Sequence, residues 1–159
     1  AIKADVASAE VAAGAIESMT RLNDVGSRIA VAAGATGCTD VTGFGLLGHL
    51  GRMAIESGLR ATVEFDAVPF LPGSIDHATA GIMPGGSHRN LAWGGEQFDA
   101  GSHDELHQLL IADAQTSGGL VFGVDPGETA GILAELASTG HTAARIGSTA
   151  DGAAGLTLT

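Results

Sequence analysis

At 159 residues, with 45% hydrophobic and 16% charged side chains, the chain has enough apolar matter for one ordinary core and too little length for two. That composition excludes a disordered segment. Seven Lys and Arg against 18 Asp and Glu give a formal charge of −11, and the basic residues stand singly, so nucleic acid and anionic membrane are disfavoured as partners. Apolar positions at helical spacing (Val11, Ala12, Ala15, Ile16, Met19) predict one or two helices between Ser8 and Ala33, with Asn23-Asp24 ending one or capping the next. Cys38 to Thr42 reads as a short strand, and Phe44 to Ser57 as the clearest helix, with Leu47, Leu50, Met53 and Ala54 on one face. Ala61 to Asp66 alternates as a strand does. From Val68 to Gly101 the pattern is irregular, with a short helix over Ser74 to Ala80 and a loop, PGGSHRN, at Pro84 to Asn90. A helix over Glu105 to Ala112, the loop QTSGG, a strand Leu120 to Val124 and a helix Glu128 to Ser138 follow. Thr142 to Ile146 and Leu156 to Thr159 read as closing strands, split by a turn at Asp151-Gly152. The expected fold is a single α+β domain, 1–159, with a mixed sheet of about four or five strands packed with helices.

No apolar run reaches membrane-spanning length, and the first residues lack a signal pattern. The chain opens at AIKADVASAE without Met and reads as a piece of something longer. A single cysteine, Cys38, leaves no internal disulfide and no CxxC metal or redox site, which fits a reducing cytoplasm.

Four features carry possible chemistry. Gly43, Gly45 and Gly48 spell G-x-G-x-x-G between a strand and a helix, with Asp66 roughly 20 residues on, the spacing of a dinucleotide site. The preceding segment is polar where a buried parallel strand would be apolar, and regular strand–helix repeats are missing. Asp40 stands at a strand end before a glycine turn. It is either a turn-capping carboxylate or one ligand of a hard cation such as magnesium, whose other ligands come from elsewhere. HDELH (His103 to His107) puts two imidazoles at i, i+4, as zinc proteases do, but the acid after the first His is Asp104 and no third ligand is evident, so a solvated acidic helix start is the preferred reading. The loops PGGSHRN and QTSGG offer backbone N–H groups and hydroxyls that can grip phosphate, or are plain connections. His49 is a candidate catalyst or a structural histidine.

Together and in order, ESMTRLN (Glu17 to Asn23), CTDVTGFGLLGHL (Cys38 to Leu50), PGGSHRN and ADAQTSGGLVFGV (Ala112 to Val124) are more specific than any one of them. The set resembles the carboxy-terminal domain of selenophosphate synthetase (selenide, water dikinase), within the aminoimidazole-ribonucleotide synthetase-like superfamily. One departure is visible: the family usually reads DPQTSGG, and here Ala114 replaces the proline. The resemblance implies an α+β domain with helices on a mixed sheet, in an enzyme that converts ATP, selenide and water to selenophosphate, AMP and phosphate. It implies Mg2+ bridging the ATP phosphates and held mostly by aspartates of an amino-terminal domain, with Asp40 the metal ligand from this domain. Candidate substrate-binding positions are Gly43, Gly86, Asn90, Thr116 and Ser117. The family's nucleotide loop, catalytic lysine and Cys or Sec nucleophile lie in the amino-terminal half, so no catalytic residue is expected here and Cys38 is not the nucleophile. The implied partner is that amino-terminal domain, in a full-length homodimer. A non-catalytic docking module and, further off, a dinucleotide-binding domain are the competing expectations.

Overall fold

The computed structural model describes residues 1–159. Seven α-helices and six strands make up the regular structure, together with short 3-10 turns. Helices α1 (Ala9–Thr20) and α2 (Asp24–Ala32) occupy the segment expected to hold one or two. The side chain of Ser8 caps α1 by accepting from Val11 N–H, relieving one of the unpaired donors of the first turn. Strand β1 (Gly37–Asp40) follows, then α3 (Gly45–Glu56), β2 (Leu59–Val63), α4 (Ser74–Thr79), α5 (Gly85–Gly94), β3 (Phe98–Asp99), α6 (Glu105–Ile111), β4 (Leu120–Gly123), α7 (Thr129–Ser138), β5 (Gly147–Asp151) and β6 (Gly155–Leu158).

The strands divide into two sheets. A mixed four-stranded sheet has the order β3-β6-β2-β5, with β2 parallel to β6, β6 parallel to β3, and β2 antiparallel to β5. Separate from it, β1 and β4 form an antiparallel ribbon in the register Gly37 opposite Gly123 and Asp40 opposite Leu120.

The main core lies under one face of the four-stranded sheet. Ala61 and Val63 of β2 and Leu156 and Leu158 of β6 alternate inward, at 2% exposure or less, against Leu47, Leu50 and Ala54 of α3 and Leu110 and Ile111 of α6. Each buried Leu or Ile contributes on the order of 1.5–3 kcal/mol relative to exposure. The spacing Leu47, Leu50, Ala54 is the apolar stripe read from the sequence, and it forms helix α3 because burying it needs a helical period. A smaller core joins Ile29 of α2 to Ile132 and Leu136 of α7, with Phe122 and Val124 packed on it. The ribbon lies between the two: Val121 packs on the main core and its neighbour Phe122 on the small one, as the two-residue period of a strand requires.

Four expectations are corrected. PGGSHRN is not a loop: Pro84 is the residue before helix α5, and Gly85 to Asn90 are its first turns. Two glycines at a helix start argue against helix on propensity, but burial of Ser87, Asn90 and Gly94 on the inner face overrides it. Thr142 to Ile146 is not a strand; β5 begins at Gly147, where a Cβ would collide with the backbone of Thr62, so this register needs glycine. The dinucleotide alternative fails on topology: β1 pairs antiparallel to β4, and β2, the next strand after α3, belongs to the other sheet. No βαβ unit surrounds the three glycines. In HDELH, His103 lies outside helix α6, whose N-cap is Asp104, so the pair is not an i, i+4 helical one; the two rings meet edge-on with centroids 5.3 Å apart, and no third ligand is placed with them. The backbone N–H of His107, bonded to Asp104, holds that carboxyl below its ordinary value.

Candidate functional site

The four segments that carry the family resemblance meet in space at the end of the ribbon. The turn after β1 is closed by Gly45 N–H donating to Thr42 C=O at 2.9 Å. Gly45 has φ +68°, and a Cβ on it would lie 2.7 Å from the carbonyl carbon of Ala112 and the carbonyl oxygen of Asp113. The glycine therefore serves a close approach between the turn and the end of α6. Alongside runs the loop 113–119, tied to the same chain segment at both ends: Gln115 N–H donates to Thr42 C=O at 3.1 Å, and Gly118 N–H to Val41 C=O at 2.8 Å. Those two bonds anchor the loop near its two ends. Gly86 of α5 lies under the loop, where a Cβ would come 3.0 Å from Cβ of Ala114.

Asn90 knits the elements together. It is 8% exposed, and its amide donates to Gly43 C=O at 2.9 Å and Ala112 C=O at 3.0 Å. Replacing Asn90 with Ala leaves both carbonyls without that donor, and we expect a loss of about 2 kcal/mol in unfolding free energy, checked by the urea midpoint at unchanged m-value. Asn23, from the first segment, donates to Gly118 C=O at 3.3 Å. His49 Nε2 and Thr42 Oγ1 are 2.9 Å apart, so the histidine is tied to the turn after β1.

Asp40 is exposed at the last residue of β1. Cys38 projects on the same side of the strand, two residues back. Burial first, and the Asp40 carboxylate second, push the Cys38 thiol above its ordinary 9.0, which leaves it protonated and a poor nucleophile at neutral pH. No group of three or more His, Cys, Asp or Glu side chains is placed to hold a metal ion. Asp40 thus stands as a single carboxylate, the kind of oxygen donor that a hydrated hard cation accepts when phosphate and other carboxylates complete its shell. Beside it, the N–H groups of Thr42, Gly43, Phe44, Thr116, Ser117 and Gly119 make no backbone hydrogen bond. At Gly43 a Cβ would meet nothing within 4 Å, so chain packing does not demand glycine there.

The sequence-derived positions therefore separate. Asp40, Gly43, Thr116 and Ser117 border the open end of the ribbon, whereas Asn90 and Gly86 are engaged in holding the loops. Sequence reasoning missed Ser87, Asp113 and Gln115. Ser87 is fully buried and donates to Asp113 Oδ1 at 3.0 Å, and Gln115 donates to Asp113 Oδ2 at 3.0 Å. The only sequence signal was that Ser87 and Asp113 both sit inside family segments. Burial raises the Asp113 carboxyl above its ordinary 3.8, against the lowering by Ser87. The folded chain thus holds this proton more tightly than the unfolded one. The stability it contributes is complete below pH 3.8 and is lost as pH rises through the folded-state value. Asp113→Asn is expected to flatten that decline in thermal unfolding midpoints measured upward from pH 3.8.

No helix is long and apolar enough to cross a membrane. The family described as AIR synthase related protein, C-terminal domain, matches residues 3–157. A selenide, water dikinase of a Shewanella species is 42% identical over 134 residues, which cover 84% of this chain and 38% of that protein. The selenide, water dikinase of Trichlorobacter lovleyi is 38% identical over 137 residues, 86% of this chain and 40% of that protein. That of Photorhabdus laumondii is 47% identical over 112 residues, 70% of this chain and 32% of that protein. The chain thus spans well under half the length of these curated relatives. Among solved structures, thiamine-monophosphate kinase from Stenotrophomonas maltophilia superposes with a TM-score of 0.48 at 20% identity, covering 78% of this chain and 31% of that one. With the family matched from residue 3 to residue 157, the chain belongs to the AIR synthase related proteins, as their C-terminal domain.

Proposed function

We propose that this chain is the C-terminal domain of a selenide, water dikinase, a cytoplasmic homodimer that makes selenophosphate, AMP and phosphate from ATP, selenide and water. In this proposal its chemical contribution is one magnesium ligand, Asp40. The observation that carries it is the exposed Asp40 carboxylate at the end of β1, bordered by two turns in which the N–H groups of Thr42, Gly43, Phe44, Thr116, Ser117 and Gly119 are unpaired. Carboxylate and N–H donors side by side suit a phosphate that arrives with its cation. Mg2+ would neutralise the charge that spreads over a phosphoryl group in transfer. Asp40 would hold it from this side, and Thr116 and Ser117 would offer N–H and hydroxyl donors to phosphate oxygens. The open space at Gly43 lets a ligand approach the backbone, while Asn90 and His49 keep the turn in place.

The likeness to the named relatives over most of this chain supports the assignment, and the portion of those relatives outside the match is where the remaining ligands would come from. The test is reconstitution. The chain alone is expected to give no ATP-dependent, selenide-dependent AMP release, and turnover is expected when it is combined with the complementary portion of the Shewanella relative. Turnover by the chain alone, or none in any reconstituted mixture whose complex is shown to form, would overturn the proposal.

A further inference from the structure

The chain holds only six large aromatic side chains, five Phe and one Trp. Two of them, Phe44 and Trp93, are 59% and 54% exposed and lie against each other with ring centroids 6.2 Å apart. Scattered exposed apolar residues need no explanation, but this pair is contiguous and rigidly presented. Phe44 projects from the turn that Gly45 wedges against Ala112, that Asn90 ties through Gly43 C=O, and whose Cβ is accommodated because residue 48 is glycine, where a Cβ would lie 2.5 Å away. Trp93 projects from the end of α5. A small cleft lined by Leu47, Ile55 and Phe98 adjoins Trp93. The patch begins four residues beyond Asp40, on the same turn.

We infer that the Phe44–Trp93 surface is the docking face for the portion of the relatives' chain outside the match, the part that precedes a C-terminal domain. The inference rests on Asp40 being one ligand of a cation completed from that portion, and it names the surface that would bring the two together. Each of the relatives described above has more than half its length outside the match, so such an occupant exists in them. Rigid aromatic anchors at the centre of a patch are the residue types that dominate association energies. A second copy of this chain fits worse: each carries a formal charge of −11, so two copies repel. A second copy would also bring the lone Asp40 no ligand cluster, since the chain holds none.

Trp93 is the only tryptophan, so 5-fluorotryptophan labelling gives a single fluorine resonance at the proposed face. The labelled chain is titrated with the complementary portion of the Shewanella relative in magnesium-free buffer, with complex formation followed by sedimentation. The resonance is expected to move on binding. Phe44→Ser is expected to weaken association about tenfold or more, and Trp93→Ser, read by sedimentation alone, is expected to do the same. Val31→Ser, which removes a 75% exposed apolar side chain of α2, is expected to leave association within about twofold, the ordinary effect of an exposed substitution. An unmoved resonance in a formed complex, undiminished association of both variants, the same shift on concentrating the chain by itself, or no complex at all would each overturn the inference. If the complex forms as expected but Asp40→Asn keeps full turnover, the metal role fails while the docking face stands.

Discussion

Asp40→Asn is expected to lower selenide-dependent AMP formation by the reconstituted enzyme about 100-fold or more, the scale of losing a group that holds or orients a catalytic metal. The urea midpoint of the chain itself is expected to stay within the error of an exposed surface change, about 0.5 kcal/mol. The two expectations follow from one geometry. The carboxylate is exposed, sits at the last ladder position of β1, and has no companion cluster in the chain. Asparagine keeps its size and removes its charge, so a phosphate-bound cation loses an anionic ligand while the packing is untouched. Raising Mg2+ is expected to recover part of the lost rate, because the defect is one of affinity. A fall in stability matching the fall in rate would instead make Asp40 a turn-capping carboxylate.

Gly45→Ala has the largest expected effect on stability, a loss of about 4 kcal/mol. Alanine at a positive φ costs about 1 kcal/mol or more by itself. Its Cβ would then meet the backbone of Ala112 and Asp113 at 2.7 Å, and backbone cannot swing aside as a side chain would. Since Ala112 is fully buried and Asp113 is bonded to Ser87 and Gln115, relief requires moving α6 or the loop 113–119. Gly43→Ala, two residues earlier, is the control: it has no steric neighbour within 4 Å and is expected to change stability by less than about 0.5 kcal/mol. Paired urea titrations of the two variants check this, and equal effects would refute the steric account. If Gly43→Ala nevertheless depresses reconstituted turnover, ligand approach at that turn is the explanation.

These two glycines also show how far the sequence could be read. The G-x-G-x-x-G spacing was visible, but its three members do different things: the first faces open space, the second wedges against another element, the third makes room for Phe44. Spacing reports none of that, because the deciding neighbours are remote in sequence. Helices α3, α4, α6 and α7 and strands β4 and β6 were legible, since each announces itself through an apolar period or a turn residue at its edge. Helix α5 was not. Gly85-Gly86 looks like a loop, and the helix is held by burial of Ser87, Asn90 and Gly94, the first two bonded to partners more than 20 residues away. Strand β5, with every residue after Gly147 exposed, has no apolar alternation to detect, and β3 is two residues long. Asp40 was found through its motif, whereas Asp113 went unremarked inside another motif because its importance lies in a hydrogen-bonded triad that no local pattern encodes.

The ribbon of β1 and β4 has one further consequence. It borders the candidate site, yet it is hydrogen-bonded to neither edge of the larger sheet, and one side of it rests on a cluster with only three buried members. Local opening should therefore cost less here than in β2 or β6, and whatever binds at its tip must first quiet that breathing. Part of the intrinsic binding energy goes into ordering, so the affinity of this end of the molecule is adjustable from α2 and α7, well away from any ligand.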